Sequence, residues 1–365
     1  MHCASLGEFE QGRPVLEALR RERPDWQVLL TFFSPSGYER CKNEPLADRV
    51  AYLPADGPGR AKAWVERIRP DVAIFVKYEF WFFHLRALHH AGVPTFLIAA
   101  SFRPSQPFFR FWGGWWRRML GFFELLIVQT AADKELLQDK GQLTAGRLLV
   151  AGDPRMDRTL QVAEAPFADS VLDAFSNSAS GPILMAGSVW PEDVAILLEA
   201  LPQLPPGLRI VLAPHQLHES ELEKWCAAFG AYRYTRAEGV DPARHRVLIM
   251  DTIGILSRAY RYADLAYVGG AFRTGLHNTL EPMAHGLPVI FGPRHQKFPE
   301  AGVALARGGA FVVTKAEELR ATIVALTNTD VGSHASTAQL ALAEESAGAS
   351  LRIAAAILEE LRERR

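Results

Sequence analysis

Short apolar runs alternate with amphipathic stretches along nearly the whole chain. Residues 28–32, 72–76, 95–99 and 125–128 are apolar runs of strand length, and residues 1–4 read as a further, short strand ahead of them. Residues 14–21, 60–68 and 80–90 carry helical patterns between these runs. The second half repeats the habit, with strands expected at 183–186, 210–213, 247–250, 265–268, 289–291 and 311–313 and helices at 192–201 and 219–229. Apolar runs separated by helices predict parallel sheets covered on both faces, that is, doubly wound α/β layers. At 365 residues the chain exceeds one ordinary core, so two such layers are expected. We place one Rossmann-like domain over 1–157 and a second over 158–335. A C-terminal segment, 336–365, is expected to be mostly one long helix crossing back to the first domain.

Open α/β sheets bind ligands beyond the carboxyl ends of their strands, so polar residues there are the candidates for chemistry. The richest such stretch is GGAFRTGLHNTLEPMAHGLPVIFGP, residues 269–293. A strand runs into a glycine pair and a polar loop. A helix is expected next, its first turn holding His277, Asn278 and Glu281, with Gly286 closing it before another strand. Loop N–H groups and a helix N-terminus suit a phosphate. Asn278 is a favoured N-cap residue, and Glu281, one turn in, suits ribose hydroxyls, with Thr279 and Leu280 between them. Taken alone, a glycine pair before a helix also occurs in many proteins that bind nothing there.

Other strand ends carry candidates of the same kind. After the first strand comes HCASLGEFE, residues 2–10, in which Gly7 allows a tight turn and Glu8 opens a helix. The helix dipole favours a charged carboxylate there, and such a group can take a proton from a hydroxyl; the plainer reading is a helix cap. Glu79 follows the strand at 72–76 in VKYEFW, either as a second site carboxylate or as a partner of Lys77. Arg155, in GDPRMD, offers a guanidinium fork to carboxylate or phosphate, or else ties the inter-domain linker through Asp157. In the second half, Gly187 and Ser188, then Pro214 and His215, then Ile253, Gly254 and Ile255 each follow a strand in order.

Composition narrows the class. Apolar residues make up 48% and charged residues 22%, as in ordinary soluble proteins. A net charge of −1 gives no field that would draw nucleic acid, and no such partner is expected. Cys3, Cys41 and Cys226 form no disulfide or zinc spacing and favour a reducing compartment. His215 and His218 have a spacing that suits a metal but lack a third ligand nearby, and no Asp-x-Asp occurs to clamp a diphosphate through a cation. We therefore expect no metal and no cofactor. No apolar run reaches the roughly 18 residues that span a bilayer, and no signal peptide pattern is present.

Residues 102–123 stand apart, with six Phe, three Trp, four Arg and no acid. An interfacial helix sinks aromatics into lipid and offers Arg to anionic headgroups, which makes Trp112, Trp115, Trp116, Arg117 and Arg118 candidates for a membrane or lipid-acceptor surface. A core helix with a few exposed arginines is the competing reading.

The 269–293 stretch resembles the nucleotide-binding signature of GT-B glycosyltransferases. In detail it is similar to that of the 3-deoxy-D-manno-octulosonic acid (Kdo) transferases, GG-S/T-F…GGHN-x-LEP-x-x-x-G-x-PV-x-x-GP. It departs at Leu276, where that family has Gly, and its loop is one residue shorter. Residues 2–8 resemble the family's HxxSxGE, residues 77–81 its E-x-E-L-W, residues 152–157 its GD-x-RFD, and residues 214–215 its P-R-H with His215 in place of Arg. The resemblance spans nearly the whole chain. It implies a GT-B fold of two Rossmann-like domains with the active site in the cleft between them. It implies transfer of Kdo from CMP-Kdo to a lipid A precursor, lipid IVA, at the cytoplasmic face of the inner membrane. Glu8 matches the family's catalytic base, and Glu79 and Arg155 match groups that assist the transition state. Residues 187–188, 214–215, 253–255 and 278–281 would meet the CMP-sugar. A first strand shorter than about 5–6 residues implies a chain that starts inside that strand and lacks the family's N-terminal anchor. Two other readings stay open: another GT-B enzyme, a UDP-sugar transferase or epimerase, and a non-catalytic membrane-peripheral protein.

Overall fold

The computed structural model describes residues 1–273 and 275–364; Thr274, in the glycine-rich loop, and Arg365 lie outside the described residues. The chain forms two compact units. The first comprises Met1–Arg158 with Ser346–Arg365, the second Thr159–Glu345.

The first unit holds β1 (His2–Cys3), β2 (Leu29–Phe32), β3 (Arg49–Tyr52), β4 (Ala73–Val76), β5 (Thr95–Ala100), β6 (Leu125–Val128) and β7 (Leu148–Val150). They pair as one parallel sheet in the order β3-β2-β1-β4-β5-β6-β7. Successive side chains of a strand point to opposite faces. Phe96 and Ile98 accordingly join a cluster with Phe9, Leu19 and Leu30, while Leu97 joins one with Leu85, Phe108 and Met119. Burial on both faces is why these strands read as unbroken apolar runs.

The expected single helix at 336–363 is two helices, Thr329–Ser346 and Ala349–Glu363, broken at Gly348 with φ 79°. Left-handed backbone of that kind suits glycine. The carboxylate of Asp157 accepts the N–H groups of Gly348 (2.5 Å) and Ser350 (2.6 Å) and so caps the second helix. Ile353, Ala354, Ile357 and Leu358 of that helix lie in the first unit's core.

The second unit holds β8 (Ile183–Val189), β9 (Arg209–Pro214), β10 (Tyr232–Arg233), β11 (Val247–Ile249), β12 (Leu265–Val268), β13 (Val289–Phe291) and β14 (Ala310–Val312). The order is β10-β11-β9-β8-β12-β13-β14, again parallel throughout. The short β10 aside, both units therefore have the doubly wound order, reversing at β1/β4 in the first and β8/β12 in the second. The expected two-domain parallel α/β class holds. β3, β7 and β10, all at sheet edges, are strands beyond those expected. β8 runs past its expected end at residue 186, through a bulge between Ala186 and Val189.

Candidate functional site

Candidate residues from both halves sit at the two switch points. In the first unit, Ser5 precedes the helix Leu6–Glu22 and Glu8 is its third residue. The Ser5 backbone N–H donates to Glu8 Oε2 at 2.7 Å, and the Ser5 hydroxyl donates to the same oxygen. Glu8 thus does cap the helix, as the plainer reading had it. The cap uses only Oε2, however, and among the described residues Oε1 has no protein hydrogen bond and is not a buried, unpartnered atom. The side chain is half-buried.

Glu79 follows β4 across the switch point. The chain leaves that strand through Lys77, whose φ is 70°. A non-glycine residue in left-handed backbone costs on the order of 1 kcal/mol and is held by its surroundings. Glu79 is buried; its Oε2 accepts the Trp81 indole N–H at 2.5 Å and lies 3.2 Å from His2 Nε2. These contacts, rather than a pairing with Lys77, hold its carboxylate. Phe33, 52% exposed at the end of β2, lays its ring on Trp81 at 4.8 Å. Arg155 pairs with Asp153 at 2.7 Å, and the Asp157 carboxylate is taken up by the cap described above rather than by the alternative tie to Arg155.

In the second unit, β8 ends in a bulge where Ser188 has φ 54°. A side chain on Gly187 would run into the Tyr260 hydroxyl. Asp193, fully buried, accepts the backbone N–H groups of Trp190 (2.9 Å) and Gly270 (2.9 Å) and the Tyr267 hydroxyl (2.7 Å). One carboxylate thereby ties the turn after β8 to the glycine pair after β12. Burial pushes the Asp193 carboxyl up, against these three bonds.

The Trp190 indole N–H donates to His277 Nε2 at 2.8 Å, with the two rings only 10° from coplanar. His215 stacks on both, at 4.5 Å from Trp190 and 4.3 Å from His277. The Arg273 guanidinium lies 4.6 Å from the Trp190 ring. Accepting at Nε2 keeps His277 neutral with its proton on Nδ1. Burial, and secondly His215, pushes His277 down to about 4, and burial also lowers His215.

The helix after this loop is shorter and later than expected. It spans Leu280–Ala284, so His277 and Asn278 precede it and Thr279 is its N-cap. Asn278 still supplies the cap bond, its Oδ1 accepting from Leu280 N at 3.1 Å, while its amide donates to Glu281 Oε1 at 3.1 Å. Burial pushes the Glu281 carboxyl up. Thr279 and Leu280 bury their side chains, and the Thr279 hydroxyl has no hydrogen-bond partner among the described residues. Leu276, at the position of the family's Gly, is also buried. Ile253 is 78% exposed beside Gly254 (φ 92°), and Ile255 opens the short helix Leu256–Ala259. Pro214 ends β9, and the following His215 N–H donates to Val189 O at 3.0 Å.

The aromatic segment is a turn, Pro107–Phe109, and a seven-residue helix, Gly114–Leu120, rather than one long interfacial helix. Its rings divide. Phe102, Phe108 and Phe123 are core, and Trp116 packs on Phe108. Phe111, Trp112 and Trp115 are 95%, 56% and 51% exposed, with Arg110 and Arg118 also exposed. Arg117 turns inward and donates to Phe108 O (2.9 Å) and Arg110 O (3.0 Å). Among the described residues no helix is long and apolar enough to cross a membrane, and no three His, Cys, Asp or Glu converge as a metal site.

Residues 1–158 match the family model described as 3-deoxy-D-manno-octulosonic-acid transferase (kdotransferase). A 3-deoxy-D-manno-octulosonic acid transferase of Bordetella pertussis is 30% identical over 331 residues, covering 85% of this chain and 74% of that protein. The chain belongs to the Kdo transferases. A member from Aquifex aeolicus is 29% identical over 324 residues, 87% of this chain and 82% of that protein. Among solved structures, a UDP-GlcNAc 2-epimerase from Neisseria meningitidis aligns over 98% of both chains with a TM-score of 0.69 and 13% identity. That likeness shows the GT-B fold alone. As a Kdo transferase the protein is a glycosyltransferase. His2, Trp190, Asp193 and Arg273 join the site beyond the residues singled out from sequence, where His277 was named only in the first turn of the expected helix. His2 opens the HxxSxGE motif and Arg273 stands in the 269–293 stretch, so two of these four carried a signal.

Proposed function

We propose that this Kdo transferase moves Kdo from CMP-Kdo to a lipid A precursor, lipid IVA, with inversion and without a metal. The observation that carries the reading is Glu8, held through Oε2 at the end of β1 with Oε1 left over, inside the segment that matches the family. Glu8 takes the proton of the acceptor hydroxyl. The freed oxygen attacks the anomeric carbon of Kdo from the face opposite the phosphate, the bond from that carbon to the phosphate oxygen breaks, and CMP leaves with the electron pair. The reacting carbon passes through an oxocarbenium-like state. The Glu79 carboxylate and the Arg155 guanidinium stabilise charge as it develops. Residues 187–188, 214–215, 253–255 and 278–281 hold the donor. Family membership and the neutral, hydrogen-bond-rich loop around Gly270 and Asn278 support this assignment. A nucleoside monophosphate leaving group needs less charge neutralisation than a diphosphate, so loop dipoles and arginine suffice.

The lipid acceptor and the cytoplasmic face of the inner membrane belong to the same proposal. Exposed Phe111, Trp112 and Trp115 beside Arg110 and Arg118 support a peripheral attachment, and Trp116 and Arg117 brace that surface from below. The test is product analysis. Purified protein with CMP-Kdo and lipid IVA should give a mass increase of one or more Kdo units, with activity retained in chelator. UDP-sugars should give no product and no binding. A product from a UDP-sugar, or activity that chelator abolishes and magnesium restores, overturns the proposal.

A further inference from the structure

His2 is a buried, titratable side chain that the mechanism above leaves unused. It is 3% exposed at the switch point of the first sheet. Both edges of its ring are engaged: Nδ1 lies 3.0 Å from Thr31 Oγ1 and Nε2 lies 3.2 Å from Glu79 Oε2. Its faces meet Phe75 and Trp81 edge-on, at 5.6 and 5.8 Å. The ring therefore has little freedom to turn. β1 and β2 align His2 opposite Thr31, and β1 and β4 align it opposite Phe75, so strand register sets the whole arrangement.

The contacts of Glu79 are one-sided. His2 and the Trp81 indole both reach Oε2, while Oε1 carries no protein hydrogen bond among the described residues and is not a buried, unpartnered atom. The terminal torsion of a glutamate is broad, so an unheld carboxylate would sample many orientations. Two neighbours on one oxygen, approaching from different directions, restrict that torsion and fix where the other oxygen lies. Such preorganisation is how a charge-stabilising group avoids reorienting during reaction.

We propose that His2 is a positioning residue for glycosyl transfer: it clamps Glu79 through Oε2 so that Oε1 is the oxygen presented to the reacting sugar. The inference rests on the role given to Glu79 above.

The test compares three variants of the full chain, assayed with CMP-Kdo and lipid IVA. In His2→Asn the amide falls near the place of Nδ1, keeping Thr31 and releasing Glu79. In His2→Gln the longer amide reaches the place of Nε2 and keeps a donor to Glu79. At matched melting temperature and unchanged KM for CMP-Kdo, kcat should fall on the order of 10²-fold in His2→Asn, as a displaced catalytic group does. His2→Gln should recover at least tenfold of that loss. A folded His2→Asn with wild-type kcat, or His2→Gln no better than His2→Asn, shows that His2 merely packs and overturns the inference. Should both fail to fold, Thr31→Val frees the far edge of the ring and should lower kcat about tenfold, as loss of one hydrogen bond; an unchanged kcat overturns the clamp. Glu79→Gln, run alongside, separates the two levels. If it keeps full kcat, the role of Glu79 fails and the clamp with it. If it is impaired while the His2 variants are not, only the clamp fails.

Discussion

The two units share a strand order and differ in what they place where it reverses. At β1/β4 the first unit sets two carboxylates, Glu8 and Glu79, each tied through one oxygen and each with the other left over. At β8/β12 the second unit's Asp193 is fully buried and spent on the Trp190 and Gly270 N–H groups and the Tyr267 hydroxyl, and burial pushes the Glu281 carboxyl up. What this unit presents instead is a glycine loop, a Trp190–His277–His215 stack kept neutral, and nearby Arg273. On the proposed mechanism a base and a cation-stabilising group call for anionic oxygens in the first unit, while a departing phosphate calls for donors in the second. The same topology serves either task because chemistry resides in the strand-end loops and the sheet only spaces them.

The comparison breaks hardest at Glu8. Glu8→Gln keeps the cap acceptor and removes the proton acceptor, so turnover should fall by about 10²–10⁴-fold while CMP affinity by calorimetry stays put. Near-full turnover would mean the first unit does not supply the base. In the second unit the equivalent blow is Asp193→Ala, which strands three donors at once. The expected cost is about 3 kcal/mol in denaturant unfolding, with loss of CMP binding; a stable variant that still binds CMP would show the loop holds its shape unaided.

Glu281→Ala should weaken CMP by about 1.5–3 kcal/mol if a charge-assisted ribose bond is lost. Unchanged calorimetric affinity would remove Glu281 from the donor site. Smaller effects are expected at the aromatic surface. Trp112→Ala with Trp115→Ala should release the protein from anionic vesicles with little change in melting temperature, because both rings are exposed. Arg110 and Arg118 should each contribute about 1 kcal/mol of salt-sensitive attraction. Trp116→Ala, by contrast, should lower the melting temperature, since that ring packs on Phe108.

The pH response sharpens the contrast further. His277 lies at about 4 in the folded protein and near 6.5 when unfolded. Between those values the unfolded chain binds the extra proton, so stability is complete above the window and is lost as pH falls through it. The urea midpoint should therefore drop more steeply from pH 7 to 4.5 in the wild type than in His277→Gln. Parallel slopes would show that folding does not lower the pKa of His277.

Central strands were plain in the sequence because burial on both faces leaves them few polar positions. The strands that escaped notice, β3, β7 and β10, are edges, where Arg49 and Arg233 are tolerated and the apolar run is broken or very short. Glu8 and Glu79 were legible as acids just past strand ends. Their orientation was not, because it depends on partners remote in sequence: His2 meets Glu79 across 77 residues, and Trp190 meets His277 across 87. The break in the final helical segment is not legible because helix-forming residues flank Gly348 on both sides, and only the backbone shows the left-handed break. The division of the aromatic segment was not legible for a related reason: composition cannot tell Phe108 and Trp116, which pack on each other, from Trp112 and Trp115, which are exposed.

The helix capped by Asp157 also sets an order of assembly. The first unit is built from two pieces of sequence, with all 187 residues of Thr159–Glu345 between them. A ribosome therefore delivers the sheet bearing Glu8 first, yet Phe9, Leu19 and Leu30 must wait for Ile353 and Ile357 before their side of the core closes. The intervening unit is contiguous and can complete itself in that interval. Until the final helix emerges, the earliest-made half of the enzyme is the half with uncovered apolar surface, and it is the half for which a nascent-chain chaperone would have a use.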